Sequence, residues 1–384
     1  MKPTFDWSEA IGLTQQLAHI DTFHTPGKTL LLQKVKKLLN DSTNAQVAIY
    51  GEEVQTPYLV AKLEVEKPSF SLLLEGHIDV VSPDGVPHPF AARIDNGIMY
   101  GRGVCDMKGG CSAQLLAFIH AAQTPAQQGS LYLVFTSDEE YASEQIITAF
   151  EQKHIPKCDF VMIAEPTDRK ICTAHKGNAW LDVEFQGKSA HASTPELGNN
   201  AIYMASTFIQ KLRTHIQGYS QQKHELYGMP TMNVGCIEGG SKPNVVAPSA
   251  KICLDKRYLP QDNYENFIAE IKTLIHECQL EDPDFSAQIV EVGDWSPVIL
   301  DRKNPILLEV QQSITQATGQ LCELAMMDAW GEGGYIQKYD IPVIYYGPGS
   351  FKYAHTPEEQ VDIKDIEAVA QGYYASILTL CFSA

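Results

Sequence analysis

The chain has 384 residues, of which 44% are hydrophobic and 20% are charged, and its formal net charge is -18. A chain of this length and composition is expected to form two globular domains with ordinary cores. Its negative charge opposes binding to nucleic acid or to anionic membranes. The sequence contains no run of about 18 apolar residues, so no membrane span is predicted.

Nine cysteines are scattered along the sequence without a CxxC pair. The N-terminus also lacks the apolar core of a signal peptide. Together these features favour a reduced, cytoplasmic protein over a secreted protein that is stabilised by disulfides.

The first 90 residues predict two helices followed by two strands. Apolar residues at helical spacing predict helices over 7–20 and 29–39. Strands are predicted over 58–63 and 71–74, the second running on through His77 and Asp79. Residues 82–89 are rich in Pro, Gly and His and predict a loop.

The stretch Tyr100–Gly110, with the sequence YGRGVCDMKGG, places Asp106 in a turn between an extended segment and an apolar helix over 113–119. Its four glycines permit positive φ angles and close backbone contacts. By itself the stretch predicts only a strand–turn–helix connection in which the aspartate caps the helix.

Two continuous apolar runs follow, over 131–136 and 160–164, with a helix predicted over 143–152 between them. Such runs are typical of strands that are buried on both faces. Strands in alternation with helices predict an α/β fold: a three-layer domain with a central, mostly parallel sheet. Polar residues follow the strand ends, where open α/β sheets bind ligands.

The pattern changes near residue 175. The elements predicted beyond it are a strand over 180–185, a helix over 200–215, strands over 231–238 and 250–257, a helix over 264–278 and a strand over 286–292. We therefore predict an α+β domain over 176–294, inserted between two parts of the α/β domain, 1–175 and 295–384. A buried strand over 343–346 is expected to complete the first sheet.

Polar residues that could together form a metal site stand at the ends of the buried strands and late in the chain; they are His77, Asp79, Asp106, Glu139, Glu140, Glu165 and His355. Histidine with several carboxylates suits zinc or another divalent first-row metal. Acidic groups that lie close together also need a cation, because like charges raise each other's pKa.

The spacing of these residues indicates separate roles. His77 and Asp79 are two apart on a strand, so they face the same way and Asp79 can accept a hydrogen bond from the second ring nitrogen of His77. Glu139 and Glu140 are adjacent and point in different directions, so one can bind metal while the other acts as a base.

Each of these residues has an ordinary alternative when it is taken alone. His77 could be a hydrogen-bonded core histidine, 138–140 a solvated acidic turn, Glu165 a turn cap and His355 a surface histidine. Their joint occurrence in this order favours the metal site.

The combination resembles one family along nearly the whole chain. The motifs that carry the resemblance are Gly76-His77-Ile78-Asp79-Val80-Val81, Gly101-Arg102-Gly103-x-x-Asp106-Met107-Lys108-Gly109-Gly110, Glu139-Glu140, Ala164-Glu165-Pro166-Thr167 and Ala354-His355-Thr356-Pro357-x-Glu359. They are similar to those of the co-catalytic zinc metallohydrolases, the family of acetylornithine deacetylases and succinyl-diaminopimelate desuccinylases with related aminoacylases and carboxypeptidases.

The resemblance implies two divalent metals per subunit, with zinc expected and cobalt as the alternative. His77, Asp106 and Glu165 match the ligands of one metal. His355, Asp106 and Glu140 match those of the other, so that Asp106 bridges the two. Glu139 matches the general base that serves a metal-activated water, and the peptide bond after Asp106 is expected to be cis. Asp79, from its spacing to His77, is predicted to take part in catalysis by orienting that histidine.

The inserted block resembles the lid and dimerisation domain of the family, which implies a homodimer. His191 matches the histidine that reaches the partner's active site and stabilises the oxyanion. Asn244 and Arg257 match positions that hold the carboxylate of the substrate, and Lys176 is a further substrate-binding candidate. A surface salt bridge is the alternative for Arg257.

The resemblance implies a small-molecule N-acyl amino acid as substrate, N-acetylornithine first, and with it a place in arginine biosynthesis. The desuccinylase branch has Arg-Arg-Gly where His175-Lys176-Gly177 stands here, so an arginine pair for a succinyl carboxylate is absent. A desuccinylase, a metallo-aminoacylase or dipeptidase, and a non-catalytic metal-binding protein of this fold are the alternatives.

Two other enzyme classes are disfavoured. Asp106 stands where a dinucleotide-binding fingerprint has its third glycine, and would repel a pyrophosphate. The sequence also lacks the GxSxG elbow of α/β serine hydrolases.

Overall fold

The structure is a computed structural model, and it describes residues 5–224 and 227–382. Contacts divide the chain into two units: one combines Met1–Ala174 with Ile299–Ala384, and the other is His175–Val298. The predicted insertion, 176–294, falls within the second unit. Among the described residues, no helix is both long enough and apolar enough to span a membrane.

The elements that precede the second unit are helices α1 (Glu9–Ala18), α2 (Thr25–Ser42), α3 (Lys108–Ala122) and α4 (Glu144–Glu151), and strands β1 (Gln46–Tyr50), β2 (Tyr58–Leu63), β3 (Ser71–His77), β4 (Arg93–Asp95), β5 (Ile98–Tyr100), β6 (Ser130–Thr136), β7 (Phe160–Ile163) and β8 (Ile171–His175). The second unit contains β9 (Gly177–Gln186), α5 (Ala201–Gln217), β10 (Thr231–Gly239), β11 (Ser249–Tyr258), α6 (Tyr264–Glu281) and β12 (Ala287–Trp295).

The chain then forms β13 (Val298–Ile299), α7 (Pro305–Thr318), β14 (Leu324–Met327), α8 (Gly333–Gln337), β15 (Val343–Tyr345), β16 (Gln360–Asp362) and α9 (Ile363–Cys381). The first unit is built around a sheet in the order β1-β2-β6-β3-β7-β15-β8-β13, with β14 paired to β8. Strands β6, β3, β7 and β15 at its centre are parallel, while β1, β2 and β8 pair antiparallel at the flanks. The predicted α/β fold is confirmed.

Helix α3 explains how the sheet is covered. It packs against β3, β6 and α9, and its residues from Lys108 to Ala121 are buried. A helix that is apolar all round is a core helix rather than a surface helix. Gly76 on β3 faces it, so Glu75 and His77 point to the opposite face of the sheet.

The second unit has its own core. Its sheet runs β10-β11-β9-β12 and is antiparallel throughout. Helices α5 and α6 cover one face, where Phe185, Phe208 and Phe267 are buried. The N-cap side chains Asn200 and Asn263 accept hydrogen bonds from the first turns of these helices. On β9 buried and more exposed residues alternate, as predicted for a half-exposed antiparallel strand.

Candidate metal centre

The turn that carries Asp106 is held by a carboxylate from the far end of the chain. Oε1 of buried Glu359 accepts hydrogen bonds from the backbone N–H groups of Gly103, Cys105 and Asp106, at 2.9, 3.0 and 3.1 Å. Its Oε2 accepts one from Arg102 Nη1 at 2.5 Å. Bonds to an ionised acceptor are stronger than neutral ones, so this carboxylate fixes the turn. The Asp106–Met107 peptide bond is cis, as expected.

Two glycines of this stretch are required by its geometry. Gly103 has a φ of +84°, and a Cβ there would lie 2.8 Å from Val80 Cγ1. A Cβ on Gly110 would lie 2.2 Å from the carbonyl oxygen of Ala164, at the end of β7. The missing side chain of Gly110 lets the start of α3 lie directly against the strand end that leads into Glu165.

The carboxylate of Asp106 lies between two histidines. Its Oδ1 is 3.2 Å from Nε2 of His77, and its Oδ2 is 3.3 Å from Nε2 of His355. His355 comes from a late loop and has a φ of +61°, a left-handed conformation that costs a non-glycine residue about 1–3 kcal/mol and is common at functional sites. Each oxygen of Asp106 thus faces a different imidazole.

Two further acids flank these histidines. Glu165 Oε1 is 3.8 Å from Nε2 of His77, and Glu140 Oε1 is 3.1 Å from Nε2 of His355. The donor atoms of His77, Asp106 and Glu140 also lie within 4.8 Å of one another. The five candidate metal ligands are therefore together, with one acid on each side of Asp106.

Asp79 lies behind His77 and orients it. Nδ1 of His77 is 3.2 Å from the backbone oxygen of Asp79 and 3.5 Å from its Oδ1, while Oδ2 accepts from the backbone N–H of Glu140 at 3.1 Å. Because acceptors face Nδ1, the neutral ring carries its proton there and presents Nε2 to Asp106. The sequence predicted the carboxylate contact; the nearer backbone contact is an addition.

The three acidic residues of 138–140 have different surroundings. Asp138 Oδ2 accepts from the backbone N–H groups of Glu144 and Gln145, at 2.8 and 3.1 Å, and so caps α4. Glu139 Oε2 is 4.0 Å from Nε2 of His77. The side chains of Glu139 and Glu140 are only 11% and 6% exposed, so this is not a solvated acidic turn.

The electrostatics of the cluster fit a cation. Burial, and then the negative charge of neighbouring carboxylates, raise the pKa of Glu139 and of Glu165 well above the usual range. Burial alone would also raise the pKa of Asp106, but hydrogen bonds with His355 and His77 lower it. The same contacts with Asp106 and Glu140 raise the pKa of His355 to about 10. The negative charge exceeds what two imidazoles can offset, and the nitrogen and oxygen donors suit divalent first-row metals.

The other predicted site residues belong to the second unit. Ala192 N–H, next to His191, donates to the backbone oxygen of Asn244 at 3.1 Å, so the loops of His191 and Asn244 are neighbours. Arg257 makes a two-pronged ion pair with Asp255 on its own strand, at 2.9 and 3.0 Å. Lys176 Nζ donates to the backbone oxygen of Met229 at 2.6 Å. Their roles toward a substrate stay predictions, and Arg257 makes the salt bridge that was its alternative.

Sequence reasoning assigned no role to several buried groups of this site, Arg102 and Glu359 among them. Glu75 and Glu332 form a second buried pair, in which Thr136 Oγ1 donates to Glu332 at 2.8 Å. Burial raises the pKa of Glu75 to about 8. One signal was available for this pair, since Glu75 stands within an otherwise apolar strand.

Comparison with known proteins agrees with this geometry. The model of the family described as Peptidase family M20/M25/M40 matches residues 73–379. A deformylase of N-formyl-4-amino-5-aminomethyl-2-methylpyrimidine from Halalkalibacterium halodurans is 26% identical over 93% of this chain and 91% of that protein. An acetylornithine deacetylase from Myxococcus xanthus is 28% identical over 77% of this chain and 76% of that protein. The structure of an M20 family metallo-carboxypeptidase from Sulfolobus solfataricus superposes with a TM-score of 0.78 at 18% identity, covering 98% of this chain and 99% of that one, a likeness of fold.

Proposed function

The chain belongs to peptidase family M20/M25/M40, and on this premise we propose that it deacylates an N-acyl amino acid, with N-acetylornithine as the first candidate. Membership makes the protein a metal-dependent hydrolase that acts on amide bonds.

The observation that carries the proposal is the position of Asp106, with one carboxylate oxygen toward His77 and the other toward His355. We assign His77, Asp106 and Glu165 to one metal, and His355, Asp106 and Glu140 to the other. Zinc is the expected metal. When bound, such metals lower the pKa of water and polarise the amide carbonyl.

The remaining chemistry belongs to Glu139. Its carboxylate reaches the same histidine as Asp106 and Glu165, and it is left outside the two ligand sets. It can therefore take the proton of the attacking water and later give that proton to the leaving amine. Asp79 keeps the ring of His77 in the orientation that the site needs.

Residues of the second unit are assigned roles toward the substrate. We assign oxyanion stabilisation to His191, whose Nδ1 is 2.7 Å from Ser193 Oγ, and recognition of the substrate carboxylate to Asn244, Arg257 and Lys176. Asp255 takes two of the five N–H donors of Arg257. A homodimer, in which His191 serves the active site of the partner, is part of the same proposal.

Two observations support an N-acetyl substrate. The 28% identical relative from Myxococcus xanthus is an acetylornithine deacetylase. His175-Lys176-Gly177 also lacks the arginine pair expected to hold a succinyl carboxylate. Deformylation is the second candidate, because the match to the deformylase extends over 93% of this chain.

A substrate panel tests this proposal. The zinc-loaded protein would be assayed with N-acetylornithine, N-succinyl-diaminopimelate, an N-formyl aminomethylpyrimidine and a dipeptide, with the chelated protein as the control. We expect kcat/KM for N-acetylornithine to exceed the others by about tenfold or more, the scale on which small differences in a pocket discriminate. A higher value for the formyl compound would replace the first candidate with the second. Two bound metals without turnover of any compound would favour the non-catalytic alternative.

A further inference from the structure

Two cysteines face each other across neighbouring strands of the second unit. Cys236 on β10 and Cys253 on β11 are direct partners in the antiparallel register, next to a bulge between Val234 and Cys236. Residues in such positions have Cα atoms about 4.5–5.5 Å apart and side chains on the same face. This spacing lies within the range of about 4.4–6.8 Å that a disulfide spans.

Cys236 and Cys253 are also more accessible to solvent than the other cysteines. Cys253 stands between Ile252 and Leu254, which are buried under the helices, so its side chain lies on the opposite, open face of the sheet. Cys236 is exposed and Cys253 is partly exposed, whereas the other seven cysteines are buried. An oxidant in solution would therefore reach this pair first.

The surroundings give the two thiols different reactivity. Cys253 lies opposite Asp182 of β9, whose carboxylate also accepts a hydrogen bond from Lys251 Nζ at 3.0 Å. Burial, and then the hydrogen bond and charge of Asp182, raise the pKa of Cys253 to about 11. Because the thiolate is the nucleophile, the exposed Cys236 is placed to react first and Cys253 second.

We propose that Cys236 and Cys253 form a redox-sensitive pair, which closes to a disulfide when the protein meets a small disulfide oxidant such as glutathione disulfide. The thiolate of Cys236 attacks one sulfur of the oxidant and releases one glutathione thiolate. The thiolate of Cys253 then attacks the sulfur of Cys236 and releases the second. Both protein thiols give up their protons, the cysteine pair loses two electrons, and glutathione disulfide is reduced to two molecules of glutathione.

Closure would constrain one edge of the second unit. In the described structure β10 is an edge strand that pairs with β11, and the connection between them carries Asn244. The new bond would enclose residues 237–252 in a covalent loop, which restricts local opening of the hairpin. This inference concerns the thiols of the second unit and does not depend on the proposed function.

The test uses the full chain, treated with glutathione disulfide at mildly alkaline pH, quenched with acid, alkylated and mapped by mass spectrometry. We expect the free thiols to fall from nine to seven, with the loss of two confined to a peptide pair joined through Cys236 and Cys253 and reversed by a thiol reductant. A stable mixed disulfide on Cys236 of the wild-type protein, or a bond to a different cysteine, would overturn the proposal.

Variants separate the two steps. Cys253→Ser should stop at a glutathione adduct on Cys236, whereas Cys236→Ser should stay unmodified over the same time. Cys278→Ala, which removes a buried thiol, is the matched control and should close like the wild type. Asp182→Asn should speed the second step, since the pKa of Cys253 would fall. A glutathione adduct on Cys253 in the Cys236→Ser variant at the rate seen for Cys236 would contradict the assignment of Cys253 as the second thiol.

Discussion

Asp106 owes its position to Glu359, which lies 253 residues further along the chain. One oxygen of Glu359 accepts hydrogen bonds from three backbone N–H groups of the turn that carries Asp106, and the other oxygen pairs with Arg102. Both partners of the Arg102–Glu359 pair are buried. A buried ion pair of this kind fixes geometry more than it adds net stability, and here it fixes the position of Asp106, the carboxylate proposed to bridge the two metals.

Glu359→Gln should weaken metal binding without removing any ligand. The neutral amide cannot accept from both the backbone N–H groups and Arg102 as well as the carboxylate does. We expect metal affinity to fall about 10–100-fold, as for other groups that support metal ligands, and the free energy of unfolding to fall by about 1–3 kcal/mol. Metal titration and urea unfolding measure the two effects.

Glu358→Gln is the matched control, because Glu358 is the exposed neighbour of Glu359. It removes the same charge from the same loop and should bind metal like the wild type. Equal metal affinity in Glu359→Gln and Glu358→Gln would show that the buried carboxylate does not position Asp106.

Glu139→Gln should separate proton transfer from metal binding. Because Glu139 stands outside both proposed ligand sets, the variant is expected to keep two metals, while kcat falls by about 10²–10⁴-fold, the usual contribution of a general base. Glu140→Gln, its neighbour, should instead lose metal. Metal analysis and steady-state kinetics on the same samples test both statements, and wild-type turnover by Glu139→Gln would refute the mechanism.

At the scale of elements, the end of α3 contains a histidine that is held neutral. His120 is buried, and neither of its ring nitrogens has a hydrogen-bond partner in the described part of the chain. Its ring stacks on Phe5 at 3.8 Å and meets Trp7 edge-on at 5.2 Å. Burial lowers the pKa of His120 to about 4. The contact with the segment before α1 thus depends on an uncharged imidazole.

The pH dependence follows from the direction of this shift. An unfolded chain binds a proton at His120 near pH 6.5, whereas the folded protein binds it only near pH 4. Between these values the unfolded state holds more protons, so folding stability falls as the pH falls. We expect His120→Phe to gain stability relative to the wild type between pH 7 and pH 5, by up to about 1 kcal/mol per pH unit.

Urea unfolding of both proteins at pH 7, 6 and 5 measures this difference. The acidic cluster and its histidines titrate in both proteins, so their contribution cancels. A constant gap between His120→Phe and the wild type across this range would contradict the prediction.

The sequence predicted the helices and strands better than it predicted which side chains bind one another. Strand β2 has its predicted bounds, 58–63, because its apolar residues are bounded by turn residues. Helix α3 is longer than predicted, at Lys108–Ala122, since a helix buried on all sides shows no amphipathic period. Arg102, Asp138 and Glu359 received no role, because what each binds follows from the tertiary fold rather than from local pattern.

His77, Glu139, Glu140 and Glu165 could be singled out because they lie at or after strand ends, which parallel strands bring to one edge of a sheet. The division of the ligands into two sets came from the family resemblance. The pKa shifts of these groups could not be predicted from the sequence, since they depend on burial in the tertiary fold. In the second unit, the ion pair of Arg257 with Asp255 joins residues that are two apart on one strand and therefore share a face.

At the scale of the whole molecule, the candidate metal centre joins parts of the chain that the second unit separates in sequence. His77, Asp106, Glu140 and Glu165 precede that unit, and His355 follows it. Strand β15 pairs with β7 across the same gap. Ligands that bind the folded state alone stabilise it by mass action, so metal binding and closure of this discontinuous sheet are expected to support each other.

Subunit mixing tests the proposed dimer. If His191 serves the active site of the partner, a subunit with His191→Ala keeps its own Glu139, and a subunit with Glu139→Gln supplies His191. Each variant alone should be nearly inactive. After equal mixing and exchange, half of the dimers combine the two and each of these has one complete site, so activity should recover to about a quarter of the wild-type value. If His191 instead acts within its own subunit, mixing should restore nothing, and the assignment of this histidine to the partner would be wrong.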